Sequence, residues 1–358
     1  MRAMLDASCE LQKSTQGVVM KYVSIAVSAF ALATAAAQPS IAQSVAEFYS
    51  GKTIQFGVGY PPGGYDAYTR AAARYMGKYI PGNPNVIVIN MPGASSFNYV
   101  RHLHSRAPKD GTQFGMFDRG LIARSVLDPK TTNVDFGEFT WIGSMNKEVS
   151  ACFLWNTKNI KSVQDVIDYK GSVILGGTSK NGGGYVYSSL LQRMSPKTVK
   201  QVFGYDATSQ MLLAAERGEI DGTCTIYGSL KINHPDLFEL RKLNVVVQFV
   251  ETRHPDLPEV QTAYEVARSE DENRVIAFLT SADAIGRPVV GPPGLAADRT
   301  EALRKAFMET MKDTEFLAFA KKAQMEIDPM SGEQASKIVA DIAATPSHIV
   351  ELARNILE

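Results

Sequence analysis

Cysteine is scarce: there are three among 358 residues, at positions 9, 152 and 224, too few for a disulfide framework. A prevailing sign of charge is missing as well, since Lys+Arg number 37 and Asp+Glu 37. Without a surplus there is no electrostatic case for nucleic acid or an anionic membrane surface, so any anion has to be met by a local site. Long apolar runs are also lacking. The stretch Val23 to Ala37 is apolar but short and alanine-rich, and nothing else approaches the ~18 uninterrupted apolar residues of a membrane span. Histidine is sparse, with five in all. His102 and His104, two apart on a predicted helix, point to different faces and make a poor joint metal site. His234 and His254 each open an "HPDL" turn, and His348 lies in a terminal helix. The run "GGTSKNGGG" lacks the Lys-Ser/Thr ending of a P-loop, "GASSFN" is not a nucleophile elbow, and no dinucleotide fingerprint occurs. No triad, metal set or carboxylate dyad emerges, so no metal and no cofactor are expected, and enzymatic activity is disfavoured.

What is present begins with "MKYVSIAVSAFALATAAAQPSIAQS", a lysine, an apolar run and then small residues at Ser40 and Ala42. It reads as a secretory signal cut after Ala42, with a cut near Ala37 as the alternative, and with residues 1–19 as an upstream extension or a misplaced start ahead of Met20. The mature protein is expected to be exported. From residue 53 short apolar runs alternate with amphipathic stretches: "TIQFGVGY", a helix from Asp66 to about Tyr79, "NVIVINM", a helix near Phe97 to His104, and "TQFGMF". That order predicts parallel sheet with helical crossovers, and "VIVI" reads as a strand covered on both faces. The alternation restarts with "VSACFLWN" and runs to "LNVVVQFVE"; beyond Glu270 the chain is mostly helical. The tail helices need a sheet to pack on, and the first unit is short of helix. One lobe is therefore expected from residues 46–148 and about 251–358, the other from about 149–250, joined by two chain crossings that make a hinge. Cys152 and Cys224 both fall in strand-like runs; the plain reading is two buried thiols, although an oxidising compartment permits a bridge.

Ligands of open α/β sheets bind at the carboxyl ends of strands, where the strand-to-helix turns lie. The first such turn, "GYPPGGYDAYTR", carries Gly63, Gly64 and Tyr65, with Asp66 where a helix N-cap belongs. The second, "MPGASSFN", carries Gly93, Ala94, Ser95 and Ser96. "GGTSKNGGGY" presents Thr178, Ser179, Asn181, Gly182 and Gly183, and "GYDATSQ" presents Tyr205 and Asp206. Each offers free backbone N–H groups at a positive helix end, which together suit an anion. Each also has a plainer role: Asp66 as an ordinary cap, the serines and threonines likewise, and the tyrosines at the edge of a core. Arg119 in "MFDRG" follows the third strand and either reaches a ligand or forms an ion pair.

Taken in order, the export signal, "VGYPPGGYD", "MPGASS", "PKDGTQFG", "GGTSKNGG" and "IDPMSGEQASKIVADIAATP" resemble the extracytoplasmic solute receptors of tripartite tricarboxylate transporters, the Bug family. The resemblance runs from about residue 46 to the C-terminus. It implies a type II periplasmic-binding-protein fold, a Venus flytrap of two α/β lobes joined by a hinge with the cleft between them. It also implies a monomeric periplasmic receptor that holds a small carboxylate, such as a di- or tricarboxylate, on its glycine-rich loops and delivers it to membrane subunits. Gly63, Gly64, Tyr65 and Asp66 would serve from the first loop, Gly93 to Ser96 from the second, and Thr178, Ser179, Asn181 to Gly183, Tyr205 and Asp206 from the other lobe. Tyr68, Arg119, Tyr185 and Tyr227 are candidates for specificity at the far end. Two departures stand out: Ser95 replaces a glycine usual in the family's second loop, and residues 256–290 lack its aromatic-glycine run. A secreted enzyme on the same scaffold, with Asp66, Lys180 or Asp206 as acid or base, is the alternative, because fold alone does not decide function.

Overall fold

The computed structural model describes residues 43–357, so the predicted signal segment and its cut after Ala42 lie outside the described residues. Along the chain come α1 (Val45–Tyr49), β1 (Thr53–Val58), α2 (Gly64–Met76), β2 (Asn85–Asn90), α3 (Phe97–Ser105), β3 (Gln113–Met116), α4 (Gly120–Leu127), α5 (Pro129–Thr132) and β4 (Thr140–Ser144). Next are β5 (Ser150–Trp155), α6 (Val163–Asp168), β6 (Val173–Gly177), α7 (Gly183–Met194), β7 (Val199–Phe203), α8 (Thr208–Glu216), β8 (Gly222–Ile226), α9 (Tyr227–Asn233), α10 (Pro235–Glu239) and β9 (Leu243–Gln248). The last part holds α11 (Glu270–Thr280), β10 (Pro288–Gly291), α12 (Ala297–Lys312), α13 (Thr314–Lys322), β11 (Met330–Ser331), α14 (Gly332–Ala343) and α15 (Ser347–Leu357).

Two sheets organise these elements: a six-stranded one in the order β11-β4-β10-β3-β1-β2 and a five-stranded one in the order β7-β6-β8-β5-β9. Each is mixed rather than purely parallel. β1 pairs in parallel with β2 and β3, whereas β10 runs antiparallel to β3 and β4. In the second sheet β6 is parallel to β7 and β8, and β5 is antiparallel to β8 and β9. The strand "VIVI" is not covered on both sides: β2 is an edge of the first sheet, and Ile87 is 40% exposed. Its hydrophobicity reflects β-branched residues on a half-buried edge, which an apolar run does not distinguish from a central strand.

The tail explains how the first sheet is completed. α12 and α14 pack against β4, and β10 inserts beside it. α15 lies against α11, α7 and α4, where Tyr185 Oη donates to the Leu357 carbonyl and Arg354 reaches the Leu127 carbonyl. The final helix therefore ties elements of both sheets together.

The chain passes between sheets from β4 to β5 and again from β9 to β10. The two passages run side by side and share backbone hydrogen bonds: Met145 N donates to Arg287 O at 3.1 Å, Gly286 N to Asn146 O at 3.0 Å, and Glu148 N to Asp283 O at 2.9 Å. Two paired crossings flex as a hinge far more easily than packed helices do.

Cys152 and Cys224 are directly opposed across the β5–β8 ladder and are joined by a disulfide, with Cα atoms 3.9 Å apart. This corrects the reading of two free thiols: sequence shows neither the antiparallel pairing nor the register that brings the two side chains together. The bridge closes a segment 72 residues long, so chain entropy puts its contribution at about 4 kcal/mol. Urea unfolding with and without reductant is expected to show the reduced protein about 2–4 kcal/mol less stable. Coincident curves would show that the bridge does not contribute.

Candidate functional site

A cavity of about 340 Å³ opens between the carboxyl ends of the two sheets. That is within the roughly 300–1,000 Å³ usual for small-molecule sites. Its first-lobe wall is Tyr60 to Tyr65 with Asp118 and Arg119; its second-lobe wall includes Gly177, Thr178, Gly183, Gly184, Tyr187 and Ala207 to Ser209. Met211, the Cys224–Ile226 strand end, Ser229, Leu230, Asn233 and His234 complete it.

The first turn forms as its residues dictate. Pro61 and Pro62 end β1, and α2 starts at Gly64, earlier than Asp66 suggested. Gly64 is required by the opposite lobe, since a Cβ there would lie 2.1 Å from Ser229 Oγ. Asp66 is not the helix cap. It sits inside the first turn with Oδ2 on Arg70 Nε at 2.8 Å, while Oδ1 accepts from Asn90 Nδ2 at 2.7 Å. Asn90 Nδ2 also donates to Tyr60 O at 2.8 Å, so Asp66 braces the turn from behind and does not line the cavity.

The second turn is left-handed throughout: φ is +125° at Gly93, +48° at Ala94, +51° at Ser95 and +74° at Ser96. Serine and alanine in that region are uncommon and cost energy, so the surroundings must hold them there. Ser95 Oγ shares hydrogen bonds with Thr178 Oγ1 at 2.7 Å and Ser179 Oγ at 2.8 Å, and Ser96 Oγ accepts from Asp118 N at 3.1 Å. The Ser95 hydroxyl thus joins lobe to lobe. None of Gly93, Ala94, Ser95 and Ser96 lines the cavity.

In the second lobe Thr178 and Gly183 face the cavity, whereas Ser179, Asn181 and Gly182 do not line it. Tyr205 packs beside Gly176, and Asp206 is exposed and bonded to Gln210; the cavity is lined instead by the three residues that follow, Ala207, Thr208 and Ser209. Of the specificity candidates, Arg119 lines the cavity and Tyr68, Tyr185 and Tyr227 do not.

Arg119 is 2% exposed, and each nitrogen of its guanidinium has a partner. Nε bonds Asp283 Oδ1 at 2.8 Å, Nη2 bonds Ser150 Oγ at 2.8 Å, and Nη1 bonds Tyr65 Oη at 3.3 Å. Burial works to lower its pKa, but Asp283, with Tyr187 and Tyr65, holds it well above its ordinary value. Burial also pushes the Tyr187 hydroxyl well up, helped by Asp283, to which it donates a hydrogen bond. Ion pairing, the commoner fate of an arginine, is therefore the one realised, and the pair links the lobes through Ser150 and Tyr187.

Sequence reasoning missed Tyr60, Asp118, Tyr187, Ser229 and His234. Asp118 is the most informative: Oδ1 accepts from Gly120 N at 2.8 Å, and Oδ2 accepts from Tyr60 Oη at 2.6 Å and Gly183 N at 3.4 Å. Its position after a strand and before a helix was visible in "MFDRG", beside the Arg119 that drew attention. Burial lowers the His234 pKa, which favours a neutral imidazole at the cavity rim. Among the described residues, no three His, Cys, Asp or Glu side chains converge as metal ligands. Likewise, no described helix is long and apolar enough to cross a membrane.

Neither a family profile nor a curated protein matches the sequence. Solved structures do. The chain is similar to a periplasmic binding protein, BugD, at TM-score 0.67 and 16% identity, over 86% of this chain and 98% of that one. It is similar to Rpa4515 of R. palustris, solved with adipate, at TM-score 0.67 and 17% identity, over 84% of this chain and 97% of that one. MatC (Rpa3494) from Rhodopseudomonas palustris, with bound malate, follows at TM-score 0.65 and 15% identity, over 86% of this chain and 99% of that one. At these identities the likeness is one of architecture: the chain has the two-lobed α/β fold of periplasmic binding proteins.

Proposed function

We propose that this protein is an exported solute receptor, working in the periplasm, that captures a small carboxylate and presents it to the membrane subunits of a tripartite transporter. The observation that carries this reading is the cavity between the lobes onto which the first turns of α2, α7 and α8 open from both sides. First-turn amides have no partner inside their own helix and lie at its positive end, so they favour an anion without any free lysine or arginine. Closure excludes water and strengthens each of these bonds, and differential affinity for the closed form drives the lobes together. The ligand is bound and released unchanged.

A thermal-shift and calorimetry screen of organic acids against uncharged solutes of similar size tests the proposal. At least one acid is expected to raise the melting temperature and to bind with micromolar affinity or better, and to be recovered intact. Stabilisation by an uncharged solute alone would sink it.

A further inference from the structure

Asn181 alone among the asparagines of the chain is followed by glycine. It lies in the loop from β6 to α7, half-buried and just after the exposed Lys180. Gly182 is the N-cap of α7, extended at φ −93° and ψ 167°. The Asn181 backbone N–H donates to Ser179 Oγ at 3.2 Å, and the Gly182 carbonyl accepts from Tyr185 N at 3.1 Å. The Asn181 side-chain amide and the Gly182 N–H, in contrast, have no hydrogen-bond partner among the described residues. The two Asp-Gly pairs of the chain are held differently. Asp110 Oδ1 accepts from Thr112 N at 2.9 Å, and Asp221 Oδ2 accepts from Lys158 Nζ at 2.8 Å and Ile174 N at 2.7 Å, with Gly222 fixed in β8.

We infer that Asn181 is a site of spontaneous covalent modification, at which the chain's own backbone turns the side-chain amide into a carboxylate. Hydroxide takes the proton from Gly182 N, and that nitrogen attacks Asn181 Cγ. The Cγ–Nδ2 bond breaks and Nδ2 leaves as ammonia, reprotonated from water, so that a five-membered succinimide closes between the two residues. Water then opens the ring at one carbonyl to give aspartate or at the other to give isoaspartate. One water enters, one ammonia leaves, and nothing is oxidised or reduced. Glycine has no Cβ to obstruct the attack, and its backbone turns readily into the geometry that the ring needs. The negative charge that develops on Gly182 N lies at the positive end of α7, which stabilises it. The same loop supplies Thr178 and Gly183 to the cavity wall. Both products therefore add a negative charge beside that wall. Isoaspartate also adds a carbon to the main chain next to Gly182, where even a Cβ would lie 2.7 Å from Ser95 Cβ.

Peptide mapping by tandem mass spectrometry tests the inference on the full protein held at mildly alkaline pH, once in native buffer and once in urea. In native buffer Asn181 is expected to convert at least about tenfold faster than any other asparagine, and within about threefold of its own rate in urea, because the folded loop leaves both reacting groups free. Isoaspartate is expected among the products, and Asp110 and Asp221 are expected to isomerise in urea alone. Asn181→Gln, which could close only a six-membered imide, is expected to stay unmodified at this position in both buffers. If native Asn181 remains intact over the time in which the unfolded chain converts, the fold protects it and the inference is overturned. Aspartate without any isoaspartate would mean direct hydrolysis of the side chain, and would overturn the attack by Gly182. Native isomerisation of Asp110 and Asp221 as fast as conversion of Asn181 would show that the free groups of this loop do not decide the site, and would overturn it as well.

Discussion

Gly120→Ala is expected to weaken ligand binding ten- to a hundredfold while leaving the melting temperature of the ligand-free protein unchanged or slightly raised. A Cβ at Gly120 would lie 2.7 Å from Gly183 N and 2.8 Å from Gly183 Cα. These are backbone atoms of the opposite lobe, and backbone does not rotate away. Overlaps of this kind cost about 1–3 kcal/mol, roughly the stated range of affinity. Within its own lobe the nearest atom that the Cβ meets is Asp118 Oδ1, at 3.0 Å, a side-chain atom that can give by a few tenths of an ångström, and alanine is a better helix former than glycine by up to about 1 kcal/mol where Gly120 opens α4. The substitution therefore acts against closure and not against folding, and affinity falls with the fraction of molecules able to close. Two further glycines meet the other lobe in the same way: Gly64, with Ser229 Oγ 2.1 Å from its notional Cβ, and Gly182, with Ser95 Cβ at 2.7 Å. Calorimetry with the tightest acid, together with small-angle scattering of the saturated protein, checks the expectation. Wild-type affinity and a wild-type radius of gyration in G120A would mean that these glycine contacts do not belong to the ligand-bound state.

The contrast between what sequence did and did not reveal follows from the range of the forces involved. Strand and helix alternation is local, so β1, α2, β3 and the elements from β5 to β9 were legible, as were the turns that open on the cavity. Which residue of a turn faces inward depends on the other lobe. Ser95 had the look of a ligand hydroxyl and instead meets Thr178 and Ser179; Asp66 had the look of a cap and instead holds Arg70 and Asn90. Cys152 and Cys224 are far apart in sequence, and only strand register brings them together. Asp118 and Arg119 are neighbours with opposite fates: the arginine is consumed by Asp283, more than 160 positions further on, and the aspartate is left facing the cavity. No local pattern separates those outcomes.

Glu148→Gln is expected to cost about 3 kcal/mol of stability, toward the lower end of the range for breaking a buried ion pair. Glu148 lies on the first hinge passage and Arg287 on the second, with Nη2 to Oε1 at 2.9 Å and side chains 2% and 0% exposed. Asn146 Nδ2 donates to the same carboxylate at 2.9 Å. The guanidinium lies over the rings of Tyr65 at 4.5 Å and Tyr68 at 4.7 Å, and its Nη2 also bonds Ser229 Oγ at 2.7 Å. Its Nε and Nη1 have no hydrogen-bond partner among the described residues. The arginine's charge is thus compensated by one carboxylate and two aromatic faces. Glutamine keeps a carbonyl for the Arg287 hydrogen bond, so what E148Q removes is mainly the countercharge, leaving a cation sealed from water. Replacing both partners with apolar residues, Glu148→Leu with Arg287→Met, should cost less than E148Q alone, because no charge is then left to desolvate. Urea unfolding of the single and double variants measures the coupling. A loss below about 1 kcal/mol in E148Q, the level of an exposed pair, would mean that water reaches the hinge and screens Arg287 there. In that case the hinge would be a wet joint, and its two passages would be held mainly by the backbone bonds between them.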